Sequence, residues 1–321
     1  MAPSDKLQKP DGARCRYGVA YGMTWGMVLN LFVLAVLWGS AFPGIKLGLE
    51  GLSAPDLTLL RFAVASLCFV LYLRATGKRL LPERRDVPRF FLLGLLGITV
   101  YHLALNYGEL RVSAGAASLI IATAPAITAV VAFFLLRDRL TLLGWSGFLV
   151  SFAGVLLIVL GDSSVLTFDP FALLILVSAV TTAFFTVLQK PLFARYRAVE
   201  VTAFSTWAGT VPLLVFAPGL PADVADAGAG PLWAALYIGI FPAAVAYAQF
   251  SYAVSKLPVT LATTFLYAVP VFSLFFSWLL LGEVPSGLTL VGGAVALSGI
   301  AVVAYAKRRD QMVQLSLSKG V

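Results

Sequence analysis

The chain has 321 residues, 60% of them apolar and only 12% charged, with a mean hydropathy of +0.93. Soluble proteins carry about a quarter charged residues, so this composition excludes a water-soluble globule and implies a polytopic membrane protein. The net charge of +8 would suit a nucleic-acid partner only if the basic residues gathered on one face, and their placement along the chain excludes that.

Residues 1–27 read as a polar N-terminal tail, and no small-residue cleavage site precedes the first apolar run, so that run is expected to stay in the mature protein. Ten apolar segments follow: 28–45, 55–73, 90–108, 113–136, 141–161, 170–189, 199–217, 232–254, 259–281 and 286–306. Each has about 18 to 24 residues, enough to cross a hydrocarbon core of about 30 Å as a helix. A transmembrane β-barrel would need shorter segments with apolar/polar alternation, a pattern this sequence lacks. Residues 307–321 form a basic C-terminal tail. The two cysteines, Cys15 and Cys68, read as separate reduced thiols rather than a disulfide framework.

Lysine and arginine set the orientation. The N-tail, the links 74–89, 137–140, 190–198 and 255–258, and the C-tail hold twenty basic residues, whereas the opposite links hold Lys46 and Arg111 only. That opposite side collects Glu50, Asp56, Glu109, Asp162, Asp169, Asp223, Asp226 and Glu283. Both termini are therefore expected in the cytoplasm, and the basic residues mark topology rather than a nucleic-acid surface.

The stretch Ser113–Leu160 returns 145 residues later without a gap: Pro125 as Pro270, Asp138 as Glu283, Gly147 as Gly292, Gly154 as Gly299. Gly94 and Tyr107 return as Gly239 and Tyr252, and with an offset of 144 Lys46 and Asp56 return as Lys190 and Glu200. The halves are thus 28–161 and 170–306. Five helices per half is an odd number, so the expected fold is an all-α membrane protein of ten transmembrane helices in two inverted five-helix repeats. Many secondary transporters are built this way, with the substrate site between the halves near the midplane.

The first half opens with Trp38-Gly39-Ser40-Ala41-Phe42, then Lys46, then Leu60-Arg61-Phe62. With the proline helix and the glycine-spaced helix in each half, this resembles the EamA-type transporters of the drug/metabolite transporter superfamily over about residues 30–306. The resemblance implies an inner-membrane carrier, often an exporter of amino acids, metabolites or drugs, with its cavity between the halves. The second half departs from the pattern, since Arg61 maps onto Ser205 and Trp38 onto Thr182, so the two gates are not expected to be chemically equivalent.

Pro125 and Pro270 stand about twelve residues into their helices, roughly 18 Å along them, and each leaves the carbonyl four residues earlier without its amide partner. They read as gating elements or packing kinks. Helix three carries Tyr101, His102, Asn106 and Tyr107; its counterpart carries Tyr247, Ser251 and Tyr252. His102 and Asn106 share a face, and polar groups at that depth are functional candidates by default, with plain interhelical hydrogen bonding as the alternative. Thr182, Phe185 and Gln189 stripe helix six, Trp38 stands on helix one, and Tyr267 joins the cavity candidates from helix nine. Aromatic walls with a few amide and hydroxyl groups suit amphiphilic solutes or cations. Arg61 reads as a structural or outer-gate residue that snorkels to the surface or bonds a helix-end carbonyl. Lys46 and Lys190 read as gating residues or as helix C-terminal caps. Small residues at Gly147, Ser151 and Gly154, and at Gly292, Gly293, Ala296 and Gly299, suit close packing of helices five and ten, within the chain or in a dimer.

No P-loop, metal-ligand cluster or nucleophile–base pair stands out; no cofactor and no metal are expected, and a monomer or homodimer in the bilayer is. No acidic residue falls at mid-depth, which leaves His102 as the proton-coupling candidate, or else facilitated diffusion or exchange. The expected function is a secondary carrier of small organic solutes, and an exporter. The rivals are a membrane-embedded enzyme or lipid-handling protein, with His102 as its general base, and a solute channel.

Overall fold

The computed structural model of the chain describes residues 24–136, 142–161, 170–257 and 259–318, and among them every regular element is a helix. In chain order these are α1 (Trp25–Leu49), α2 (Ala54–Ala75), α3 (Arg84–Glu109), α4 (Ala114–Leu135), α5 (Leu142–Gly161), α6 (Pro170–Ala194), α7 (Ala198–Phe216), α8 (Ala229–Lys256), α9 (Phe265–Leu281) and α10 (Gly287–Ser318). Seven of them, α1 to α4 and α6 to α8, are long and apolar enough to cross a membrane, and α5, α9 and α10 carry shorter apolar stretches. Short helices at Leu220–Asp226 and Val259–Thr264 precede α8 and α9. Most of the N-terminal tail, with Cys15, and the links 137–141 and 162–169 lie outside the described residues. At the other end, α10 stays helical through residues 307–318, where the sequence pointed to a tail.

Local chemistry explains the helix ends. The Ser53 hydroxyl accepts the Asp56 N–H and Pro55 occupies the first turn, so α2 starts there. Ser113 caps α4 in the same way through the Ala116 N–H. Gly282, at φ +66°, takes the left-handed turn that stops α9.

The outer surface is apolar: Leu67, Leu71, Phe134, Phe152, Trp278 and Leu279 are all exposed. Such a surface would aggregate in water, but lipid solvates it. Inside, Phe42, Leu57, Leu105, Leu119 and Ile238 form one core cluster, and Phe62, Phe90, Phe185 and Phe204 a second.

Both prolines stand beside an interruption of the regular helix. α4 breaks at Ala122–Thr123 and resumes as Ala124–Leu136; α9 begins as a 3₁₀ turn at Phe265–Ala268 and continues as Val269–Leu281. Pro125 and Pro270 are each the second residue of the resumed segment. A proline in a first turn has no intrahelical N–H bond to lose, so both mark the start of a half-helix rather than a kink within one.

Contacts between the halves are exchanged by the repeat offset. Gly94 on α3 packs on α7, where a Cβ would lie 2.6 Å from the Ser205 carbonyl oxygen. Its counterpart Gly239 on α8 packs on α2, where a Cβ would lie 2.9 Å from the carbonyl of Arg61, the counterpart of Ser205. Likewise Ser66 on α2 hydrogen-bonds Thr210 on α7, 144 residues away, at 3.2 Å. The small-residue stripes of α5 and α10 face one another within the chain, with Gly154 against the Ala296 backbone. Gly94→Ala should lower stability by about 1–3 kcal/mol, read as a lower melting midpoint in detergent. Gly230→Ala, at a position with nothing within 4 Å, should leave it unchanged.

Candidate functional site

The site is set by two wide turns. α3 winds as a π-helix over Leu95–Val100, and α8 does so over Gly239–Ala246 at the equivalent place in the second half. A π turn shifts the register of the helix beyond it and leaves carbonyls free for side-chain donors, which is why such turns recur at functional sites. Two carbonyls of these turns are taken up this way: Trp38 Nε1 donates to Pro242 O at 3.1 Å and Tyr247 Oη to Gly97 O at 3.3 Å, while Thr99 Oγ1 of the first turn donates to Gly209 O of α7 at 2.7 Å.

The residues after the two π turns, His102 and Tyr247, are 145 apart in sequence and bond one another, Nε2 to Oη, at 2.9 Å. On its other side His102 Nδ1 lies 3.3 Å from Arg61 Nη1. A guanidinium only donates, so Nδ1 accepts and the imidazole is the neutral Nε2–H tautomer. Protons are then ordered along one line: Arg61 to His102, His102 to Tyr247, Tyr247 to Gly97 O. The His102 ring is wedged between Phe62 and Tyr101, each with its centroid at 4.5 Å.

These groups wall a cavity of about 60 Å³ between the halves. Its lining includes Trp38, Phe42, Arg61, Tyr101, His102, Thr182, Phe185, Tyr247 and Phe250. Trp38 sets its ring edge on Tyr247 at 5.3 Å and tilts on Phe250 at 5.1 Å. Arg61 is 2% exposed, its Nε has no hydrogen-bond partner, and among the described residues it makes no ion pair. It is a cavity-wall cation, and the expectation that it snorkels to the surface is overturned. Burial of a guanidinium with a neutral imidazole for company is costly, so the site presents an unmet demand for an anion.

Other candidates from the sequence lie elsewhere. Asn106 is buried between α3 and α2, where Nδ2 donates to Thr58 Oγ1 at 2.8 Å, off the cavity wall. Gln189 and Ser251 are buried and bond one another at 3.2 Å, tying α6 to α8. Tyr107 is 39% exposed and faces outward. Tyr252 lines a separate groove of about 560 Å³ with Asn30, Phe69, Tyr72, Arg197 and Gln249. Tyr267 is half-buried outside the central lining, although its neighbour Leu266 belongs to it. Tyr107, Tyr252, Gln189, Ser251, Asn106 and Tyr267 therefore do not line the central cavity in this conformation. Periodicity finds a helix face, but it does not say which neighbour that face meets. Lys190 Nζ donates to the carbonyls of Val254 and Leu257 at the end of α8, the capping alternative, while Lys46 is half-buried in the last turn of α1.

Sequence reasoning missed Phe250 and, above all, Glu109. In the sequence Glu109 reads as one of the outer-side link acids, yet it is 0% exposed at the end of α3. The available signal was spacing: His102, Asn106 and Glu109 run i, i+4, i+7 along one helix stripe. Among the described residues no group of three or more His, Cys, Asp or Glu is gathered to hold a metal ion.

The family profile described as the EamA-like transporter family matches residues 25–160 and again 170–305. The uncharacterized transporter YdfC of Bacillus subtilis is 37% identical over 264 residues, 82% of this chain and 86% of that protein. A protein of Streptantibioticus cattleyicolor named a probable terminal-alkyne amino-acid exporter is 36% identical over 279 residues, 87% of this chain and 92% of its own. The uncharacterized inner membrane transporter YedA of Escherichia coli is 26% identical over 290 residues, 86% of this chain and 90% of its own. A solved crystal structure matches with a TM-score of 0.67 at 20% identity, covering 88% of this chain and 99% of that one, a likeness of fold.

Proposed function

The chain belongs to the EamA-like transporter family, and from that premise we propose that it is a secondary carrier exporting amino acids with apolar side chains by alternating access. The observation that carries this reading is Arg61: a buried, unpaired guanidinium in an aromatic cavity between the halves. A substrate carboxylate supplies the anion it lacks, in the charge-assisted geometry that suits arginine. Trp38, Phe42, Phe185 and Phe250 receive the apolar remainder. The name of the Streptantibioticus relative supports an amino acid, and the export direction, on the same side.

At about 60 Å³ the cavity is far below the roughly 300–1,000 Å³ of a loaded ligand site, so this conformation is a contracted one. Loading requires one half to rock against the other. Ties on the acidic side include Ser40 to Tyr237 at 2.7 Å, the Ser53 N–H to Asp223 at 2.9 Å, and Glu283 to the first amides of α4. On the basic side Arg195 is tied to Asp86 at 2.7 Å. The Ser53–Asp223, Glu283–α4 and Arg195–Asp86 ties each join stretches that the charge distribution assigns to one membrane face, in support of ten crossings with both termini cytoplasmic. The exchanged Gly94 and Gly239 contacts support inverted repeats.

Counterflow in proteoliposomes tests this. Vesicles loaded with unlabelled L-propargylglycine, an alkyne amino acid, should accumulate labelled propargylglycine or leucine saturably. Flux that never saturates would mean a channel, chemical conversion would mean an enzyme, and no movement over a panel of amino acids, polyamines and quaternary amines would sink the carrier reading.

A further inference from the structure

Glu109 is the buried charge that this transport scheme does not use. It closes α3 one turn beyond Leu105, a cavity-lining residue, and on the stripe of His102 and Asn106. Both of its carboxyl oxygens are buried without a hydrogen-bond partner, and it makes no ion pair among the described residues. The charged and titratable groups that face it are Lys46 from α1, Arg61 from α2, Glu283 from the α9–α10 link and Tyr101 on its own helix. α6 meets the neighbouring Gly108 with Ile175 and the Phe171 carbonyl, neither of them titratable. The surroundings are equally unsatisfied. Asp56 Oδ1, Arg61 Nε and Asn106 Oδ1 are also buried without partners, which makes a polar seam between α2 and α3 from the acidic face to the cavity. A bare carboxylate in such a seam is costly. A proton or an organic cation removes that cost, and the two cannot hold the carboxylate together.

We propose that Glu109 is the coupling carboxylate of this carrier, occupied alternately by one proton and by the ammonium group of the exported amino acid. The proton arrives from the outer side and sits on a carboxyl oxygen. When the cavity is open to the cytoplasm, the substrate ammonium passes Ile45 and Leu105 to reach Glu109 and displaces the proton, which leaves through the cavity to cytoplasmic water. Outward release of the amino acid frees the carboxylate for the next proton, so each amino acid exported brings one proton in. The proposal deepens the carrier reading and rests on it.

Proteoliposomes enclosing a pH-sensitive dye and L-propargylglycine should acidify inside as the amino acid leaves. Half-saturation for counterflow should weaken as pH falls, by about tenfold per unit in the acid limb. Glu109→Gln should abolish the acidification and flatten that pH profile, and Glu109→Asp should keep a pH profile with a displaced midpoint. Counterflow without acidification in the wild type would overturn the proposal and leave the carrier reading intact. So would acidification that survives Glu109→Gln, or flux that follows sodium instead. If the wild type shows no counterflow, the carrier reading falls first. Infrared difference spectra then decide the proton site: a protonated-carboxyl band that titrates in the wild type and is missing from Glu109→Gln sustains it, and no such band overturns it.

Discussion

Arg61→Met should abolish transport while making the protein more stable. The substitution keeps an unbranched apolar stem and removes a guanidinium that is 2% exposed, has no ion pair, and leaves Nε unsatisfied. Replacing buried charge by well-packed apolar volume is often stabilising by about 1–4 kcal/mol, here read as a higher melting midpoint in detergent. Transport of propargylglycine should fall at least about 100-fold, or ~2.7 kcal/mol, because the substrate carboxylate loses its counter-charge. Arg61→Lys keeps the charge but loses the planar fork, so an intermediate loss of about tenfold is expected. A transport-competent Arg61→Met would remove the basis of the proposed function. Loss of both stability and transport would make Arg61 a structural residue instead.

Trp38→Ala should damage both packing and selectivity. Its ring meets Tyr247 and Phe250, and its Nε1–H satisfies the Pro242 carbonyl inside the π turn of α8. Trp38 is half-buried, so its truncation should cost less than the about 3–5 kcal/mol of a fully buried Trp, and the enlarged cavity should admit bulkier amino acids that the wild type rejects. Trp38→Phe keeps the aromatic contacts but leaves the Pro242 carbonyl without its donor, a smaller loss of about 0.5–1.5 kcal/mol. Competition by amino acids of increasing side-chain size, measured on both variants, separates the two effects. An unchanged size profile in Trp38→Ala would place Trp38 outside the substrate wall.

The same residues show what a linear reading reaches. Apolar segments and the 145-residue echo are properties of the chain, because lipid demands length and hydropathy from each helix independently. The echo even locates the centre of the molecule: His102 and Tyr247, equivalent in the two halves, meet as a hydrogen-bonded pair. Periodicity misled at Tyr107 and Tyr252, which share a helix with cavity residues but face away from the central cavity. One extra residue in a π turn rotates everything beyond it, and nothing in Leu95–Val100 announces that turn. At Pro125 the residue was legible and its local role was not, because a helix broken two residues earlier changes what a proline costs.

The sequence by itself determined a membrane protein of the EamA-like family, its helical elements, its twofold repeat and Arg61, Trp38 and His102 as the residues in which the halves differ. Only the tertiary structure decided that Arg61 lines the cavity rather than reaching the surface, and that Glu109 lies buried instead of in a solvated link. The physical reason is that span and repeat are written residue by residue. The environment of a charge depends on which helix covers it, and for Arg61 and Glu109 those helices come from distant parts of the chain.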